Sequence, residues 1–251
     1  ADGTPLARHG QATLQITSAN AGKLGTDERV LLSSGAIDSV GGVTNGMAAP
    51  WMVNRVDVRF LTYVDPADGG TGFRSADFDR TFAAGTLAAA DLSTEKVFFN
   101  GAQTFAAAGT TVSVYAARLD GNLTGNTNTL RIRSGGLLSN VASTVTSSLV
   151  FNDGTIDVEA VLFNSNNFVI GSTVGAADGG LVTNGLFTKF GSGTVIFQAA
   201  QATTITSLQI NGGGAALRHS AALGPAASRV LIANVGSTLS LQNDAAAAFD
   251  V

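Results

Sequence analysis

The chain has 251 residues, a formal net charge of −4, no cysteine, 31 glycines and only 4 prolines. Charged residues make up 13% of it, against roughly 25% in an average globular chain, so the polar surface has to come from Thr, Ser, Asn and Gln. That composition rules out disulfides, thiol nucleophiles and cysteine-bound zinc, argues against an α-rich fold faced with Lys and Glu, and gives no basic footprint for a nucleic-acid partner.

No stretch approaches ~20 uninterrupted apolar residues, so no transmembrane segment is expected. The N-terminal Ala1-Asp2-Gly3-Thr4 has neither a basic nor an apolar leader region, which fits a secretion signal that has been removed or belongs to a longer precursor. A chain this poor in charge and free of Cys suits an oxidising cell-surface environment.

In chain order, strands are expected at 12–17, 29–32, 53–64 and 96–99, with a polar loop at 65–72 after the third. A helical turn over 82–90 is an alternative that Gly85 and Thr86 weaken. Residues 1–100 therefore read as an irregular all-β N-terminal region or cap, or as irregular turns continuous with the rest of the chain. From 101 to 251 a repeat emerges. The short β-branched or aromatic runs Thr129–Ile132, Ser148–Phe151, Phe168–Ile170, Ser207–Ile210 and Arg229–Ile232 carry anchors at Ile132, Phe151, Ile170, Ile210 and Ile232, which stand 19, 19, 40 and 22 residues apart. A further run at 193–197 divides the long interval.

Strands this short cannot bury an apolar face alone, but stacked turns of about twenty residues can. The fold expected is all-β, a right-handed parallel β-helix (β-solenoid) with inward columns of Ile, Leu, Val and Phe. Outward positions fall to polar residues, as in Leu130-Arg131-Ile132-Arg133 and Leu208-Gln209-Ile210-Asn211, the period-two alternation of a half-buried strand. Asn-Gly pairs at 45–46, 100–101, 184–185 and 211–212 leave a hairpin fold as the competing arrangement; the shortness of the strands favours the solenoid.

At Leu186-Phe187-Thr188-Lys189-Phe190-Gly191-Ser192-Gly193-Thr194-Val195-Ile196-Phe197 the chain resembles the autotransporter-associated β-strand repeat, whose signature is a Leu-Thr-Lys start, Gly-x-Gly-Thr and an apolar strand. The likeness continues through Thr203-Thr204-Ile205, Leu208-Gln209-Ile210-Asn211-Gly212-Gly213, Leu217-Arg218-His219 and Ala222-Leu223-Gly224. Upstream, Asn45-Gly46, Pro50-Trp51, Thr62-Tyr63 and Leu87-Ala88-Ala89-Ala90-Asp91 look like the segment preceding such repeats in very large surface proteins. Only 181–224 is motif-specific, and Gln198-Ala199-Ala200-Gln201-Ala202 departs from the family's turn. The resemblance implies a parallel β-helix on the outer envelope of a Gram-negative type bacterium, used as stalk, adhesin passenger or fibre, and it carries over no catalytic residue and no cofactor.

The residues offer few chemical candidates. His9 and His219 are the only histidines and are far apart in sequence; no nucleophile elbow accompanies them. Asp157 and Glu159, two apart in an expected strand, would share one face, the spacing of a glycosidase or polysaccharide-lyase pair. Asp65, Asp68, Asp77 and Asp79 lie in one Gly-rich stretch that could hold a structural Ca²⁺, although its spacing fits no EF-hand or nonapeptide repeat and Arg74 or Arg80 would serve equally as counterions. No enzymatic activity is expected. The partners expected are a second copy bound head to tail at open solenoid ends, the remainder of a longer passenger, or a surface polysaccharide. An adhesin would bind through loops 65–80 or 118–128, and a carbohydrate-active β-helix enzyme is the alternative. The apolar close at 243–251 shows no evident cap.

Overall fold

The computed structural model describes residues 8–32, 42–171, 181–182, 185–226 and 228–242; the N-terminal and C-terminal tracts singled out above, and Asn184, lie outside them. Two compact units divide between Phe78 and Asp79.

The first unit holds β1 (Leu14–Ile16), β2 (Met52–Asn54), β3 (Arg59–Val64) and β4 (Gly72–Ser75) in one sheet of that order. β1 runs parallel to β2, whereas β2–β3 and β3–β4 are antiparallel. Met52, Leu61, Tyr63 and Phe73 form its core, with the Tyr63 and Phe73 rings edge to face at 5.0 Å. The strand expected at 29–32 does not form. This segment touches the sheet by one backbone bond, Phe73 N to Val30 O at 3.0 Å, and by Leu32 N donating to the Tyr63 hydroxyl at 3.1 Å. Asn45-Gly46 makes a two-residue turn closed by a Thr44–Met47 bridge, both central residues having positive φ, as Asn-Gly turns do.

The second unit contains the remaining strands: β5 (Arg80–Leu87), β6 (Ala90–Phe105), β7 (Thr111–Asp120), β8 (Leu123–Thr124), β9 (Thr129–Ile132), β10 (Gly136–Ser139), β11 (Ser143–Val145), β12 (Ser148–Phe151), β13 (Ala160–Asn164), β14 (Phe168–Ile170), β15 (Leu181–Val182), β16 (Leu186–Phe190), β17 (Thr194–Phe197), β18 (Ser207–Ile210), β19 (Gly214–Leu217), β20 (Arg229–Ile232) and β21 (Thr238–Leu241). All strand-to-strand pairings in this unit are parallel. They stack as a β-solenoid of about 7 turns. The parallel sheet begins at Arg80, and 80–87 is strand rather than helix: its backbone groups are committed to a ladder on 97–105.

Three faces run along the solenoid. On the first, the register Val97, Ala117, Leu137, Leu162, Lys189, Ile210, Ile232 advances by 20, 20, 25, 27, 21 and 22 residues. On the second, Leu123, Val145, Ile170, Phe197, Leu217 and Leu241 are stacked. The third aligns Val112, Leu130, Leu149 and Leu181. From 201 to 223 it continues without strand, through Gln201 N to Ala221 O at 3.0 Å and Ile205 N to Leu223 O at 2.7 Å. The inward side chains of all three faces form one apolar cluster, within which Phe187 and Phe197 pack edge to face at 5.4 Å.

The 25-residue step has a local cause. The Asp153 carboxylate accepts from Thr155 N and the Thr155 hydroxyl, both at 2.8 Å, and from Ile156 N at 2.9 Å, and an antiparallel bridge joins Asn152 to Asp157. Residues 152–157 thus leave the turn as a small closed loop and return for β13.

Candidate functional site

The acidic residues read as calcium candidates are held by separate partners. Asp65 caps the 3₁₀ turn Pro66–Asp68, accepting from Ala67 N at 2.8 Å, and Asp68 is the last residue of that turn. Asp77, its side chain 94% exposed, accepts from Arg59 Nη1 at 2.7 Å. Asp79 accepts from Lys96 Nζ at 2.8 Å and Lys96 N at 2.7 Å. Neither Arg74 nor Arg80 is the counterion in these bonds, and Arg80 pairs with Glu95 at 2.8 Å. Among the described residues no three His, Asp or Glu side chains come together as a metal-binding group.

Asp157 and Glu159 do not share a strand face. Asp157 sits at the base of the 152–157 loop, accepting from Asn152 Nδ2 at 2.9 Å, and the strand begins only at Ala160. Glu159 accepts from the Thr188 hydroxyl of the next turn. The carboxylate that the loop does perturb is Asp153: the amides of Ile156 and Thr155 and the Thr155 hydroxyl hold it below the usual carboxylate range, with Arg133 adding to the effect. His219 Nδ1 accepts from Ala221 N at 2.9 Å and so shapes a turn; His9 belongs to the first unit.

What the residue-by-residue reading missed is a polar corner inside the solenoid. Lys189 occupies an inward position, between Leu162 and Ile210 in register, and is fully buried. Its ammonium donates to the carbonyls of Gly191 at 2.8 Å, Gly212 at 2.6 Å, and Gly193. Three N–H groups therefore meet three oxygens, two from its own turn's corner and one from the next turn's. No carboxylate among the described residues pairs with it, and burial pushes its pKa down to about 7.

The preceding turns place other polar groups at this corner. Asn164, fully buried, donates from Nδ2 to Asn166 O at 2.7 Å; the Ser139 and Ser143 hydroxyls, also buried, donate to Val141 O at 3.0 and 3.3 Å. A corner has to turn backbone carbonyls away from the ladder, and those carbonyls need donors. The signal was present in the sequence: Phe187 and Lys189 are two apart, so an inward Phe187 implies an inward Lys189.

Not every outward position is wet. Leu138, Val161, Phe163, Thr188 and Phe190 on the first face are buried yet lie outside the interior cluster, and the Phe163 and Phe190 rings meet edge to face at 5.2 Å. Period-two alternation identifies the second side of a strand but does not say that water covers it.

β5 is paired on one side only, by β6, and β20 and β21 only by β18 and β19 among the described residues. Ile232 and Leu241, both in inward columns, are 47% and 46% exposed there. No helix among the described residues is long and apolar enough to cross a membrane.

Fold and side-chain placement define an all-β protein of the β-solenoid class. Comparison with family models, with curated proteins and with solved structures returns no match for this chain.

Proposed function

We propose that this protein is a structural and adhesive β-solenoid of the bacterial outer envelope, a stalk or fibre element without enzymatic activity. The observation that carries this reading is the parallel solenoid of about 7 turns, whose outermost strands are bonded on one side only among the described residues. Main-chain hydrogen bonds along the axis give stiffness, and an unpaired strand edge is a template for further strands. The expected axial partner is a second copy or the remainder of a longer passenger. The likeness of 186–197 to the autotransporter-associated repeat supports the surface location.

Negative-stain imaging with sedimentation of the purified chain tests the proposal. Regular filaments, shortened by Ile232→Lys with Leu241→Lys, are the expected result. A chain that stays monomeric at high concentration overturns fibre formation, and turnover of a polysaccharide panel overturns the non-enzymatic reading.

A further inference from the structure

The two open edges of the solenoid belong to the same two faces. At the Arg80 edge, β5 spans both: residues 80–83 continue the first face and 85–87 the second, with a shift of register between Ala83 and Gly85. Only β6 pairs with it among the described residues, and Thr81, Ala83, Gly85 and Thr86 are exposed. At the opposite edge β20 ends the first face and β21 the second, with Leu231, Ile232 and Leu241 half-exposed. All of these strands run in one sense. The free side of β20 and β21 is therefore the side of the ladder that β5 lacks, and a parallel pairing satisfies both.

The side chains at the two edges match when the register is carried one step further. Ile232 stands in the column that begins at Arg80 and Val97, and Leu241 in the column that begins at Gly85, Gln103 and Leu123. A Cβ at Gly85 would meet only the Ala83 carbonyl, at 3.8 Å, so that position has room for a leucine above it. An inward charge such as Arg80 ordinarily blunts a strand edge. Here Nε and Nη2 donate to Glu95 at 2.8 and 3.0 Å, which turns the guanidinium back onto its own molecule and leaves the methylene stem to cover Ile232. Like ends match less well. A two-fold axis that laid β20 on the β20 of another copy would carry β21 onto the third face, where no strand follows β15 among the described residues.

We propose that β20 and β21 of one chain pair in parallel with β5 of a second copy, Ile232 lying against Arg80 and Leu241 against Gly85. Such a joint is heterologous and repeats from copy to copy. It rests on the fibre reading above and assigns that fibre its contact.

The chain has no cysteine, so introduced thiols report this joint alone. The same register places Ala233 beside Thr81 of the next copy, both exposed, and the spacing of adjacent strands, about 4.8 Å, is within reach of a disulfide. Full-length Ala233→Cys and Thr81→Cys are purified separately, mixed in equal amounts and mildly oxidised, while sedimentation under reducing conditions measures association. A covalent one-to-one pair is expected in the mixture, forming at least tenfold faster than homodimers of either variant alone. Gly85→Asp is expected to weaken association at least tenfold and Ile156→Asp, on the side loop, to leave it unchanged. Association without the mixed disulfide, or undiminished in Gly85→Asp, overturns the joint and leaves the fibre reading standing. Homodimers of Ala233→Cys that form as fast as the mixed pair show like ends meeting and overturn the joint, and absence of association by the wild type overturns both.

Discussion

Lys189 shows how one side chain can tie two turns together. Its ammonium joins the corners of the β16–β17 and β18–β19 turns by donating to the carbonyls of Gly191, Gly193 and Gly212. Lys189→Ala leaves those carbonyls and a cavity, and is expected to cost about 3 kcal/mol or more, read as a lower urea midpoint. The pH dependence has a definite sign. Burial lowers this lysine to about 7 from the ordinary 10.5, so between those values the unfolded chain holds a proton that the folded chain has released, and raising the pH favours the fold. Wild-type stability is expected to climb between pH 7 and 9.5, by on the order of 2 kcal/mol, while Lys189→Met stays nearly level. Urea midpoints of both proteins at pH 6.5, 8 and 9.5 check this, and parallel curves would show that the lysine keeps its ordinary affinity for protons.

At the scale of the element, glycine corners separate backbone freedom from space. Gly213 and Gly109 both have positive φ, +66° and +73°. A methyl group at Gly109 meets open space, whereas at Gly213 it overlaps the Gly193 carbonyl and the Lys189 ammonium. Gly109→Ala is expected to cost about 1 kcal/mol and Gly213→Ala about 3 kcal/mol or more, a contrast that thermal unfolding of the two variants measures. The strands themselves were legible: Thr129–Ile132, Ser148–Phe151, Phe168–Ile170, Ser207–Ile210 and Arg229–Ile232 are all strands of the solenoid. Their assignment to faces was not. The first two lie on the third face, Phe168–Ile170 on the second, and the last two on the first. Each strand carries the same local alternation, so spacing near twenty reveals a turn but not the phase within it.

For the whole molecule, stability rests on apolar columns and main-chain ladders rather than on charge. Most ion pairs shown in the structure are substantially exposed, and such pairs contribute little. The thermal midpoint is therefore expected to change by only a few degrees between 0.05 and 1 M sodium chloride, measured by circular dichroism; a large drop would show that electrostatics carries the fold. In contrast, Phe187→Ala removes a ring from the shared interior and is expected to cost about 3–5 kcal/mol. Ile156→Ala, at a site 64% exposed on the 152–157 loop, should change stability by less than about 0.5 kcal/mol.

Composition and spacing by themselves determined the all-β class, the parallel solenoid and a turn of about twenty residues, because each comes from local properties: β-branched strands too short to bury a face alone, Gly and Asn at corners, and period-two alternation. Only the tertiary structure decided which residues share a column, that Lys189 is an interior cation rather than a surface charge, and that Asp157 and Glu159 have different partners. Those outcomes depend on register between strands some twenty residues apart, and a one-residue change of register would exchange inside for outside without altering any local pattern.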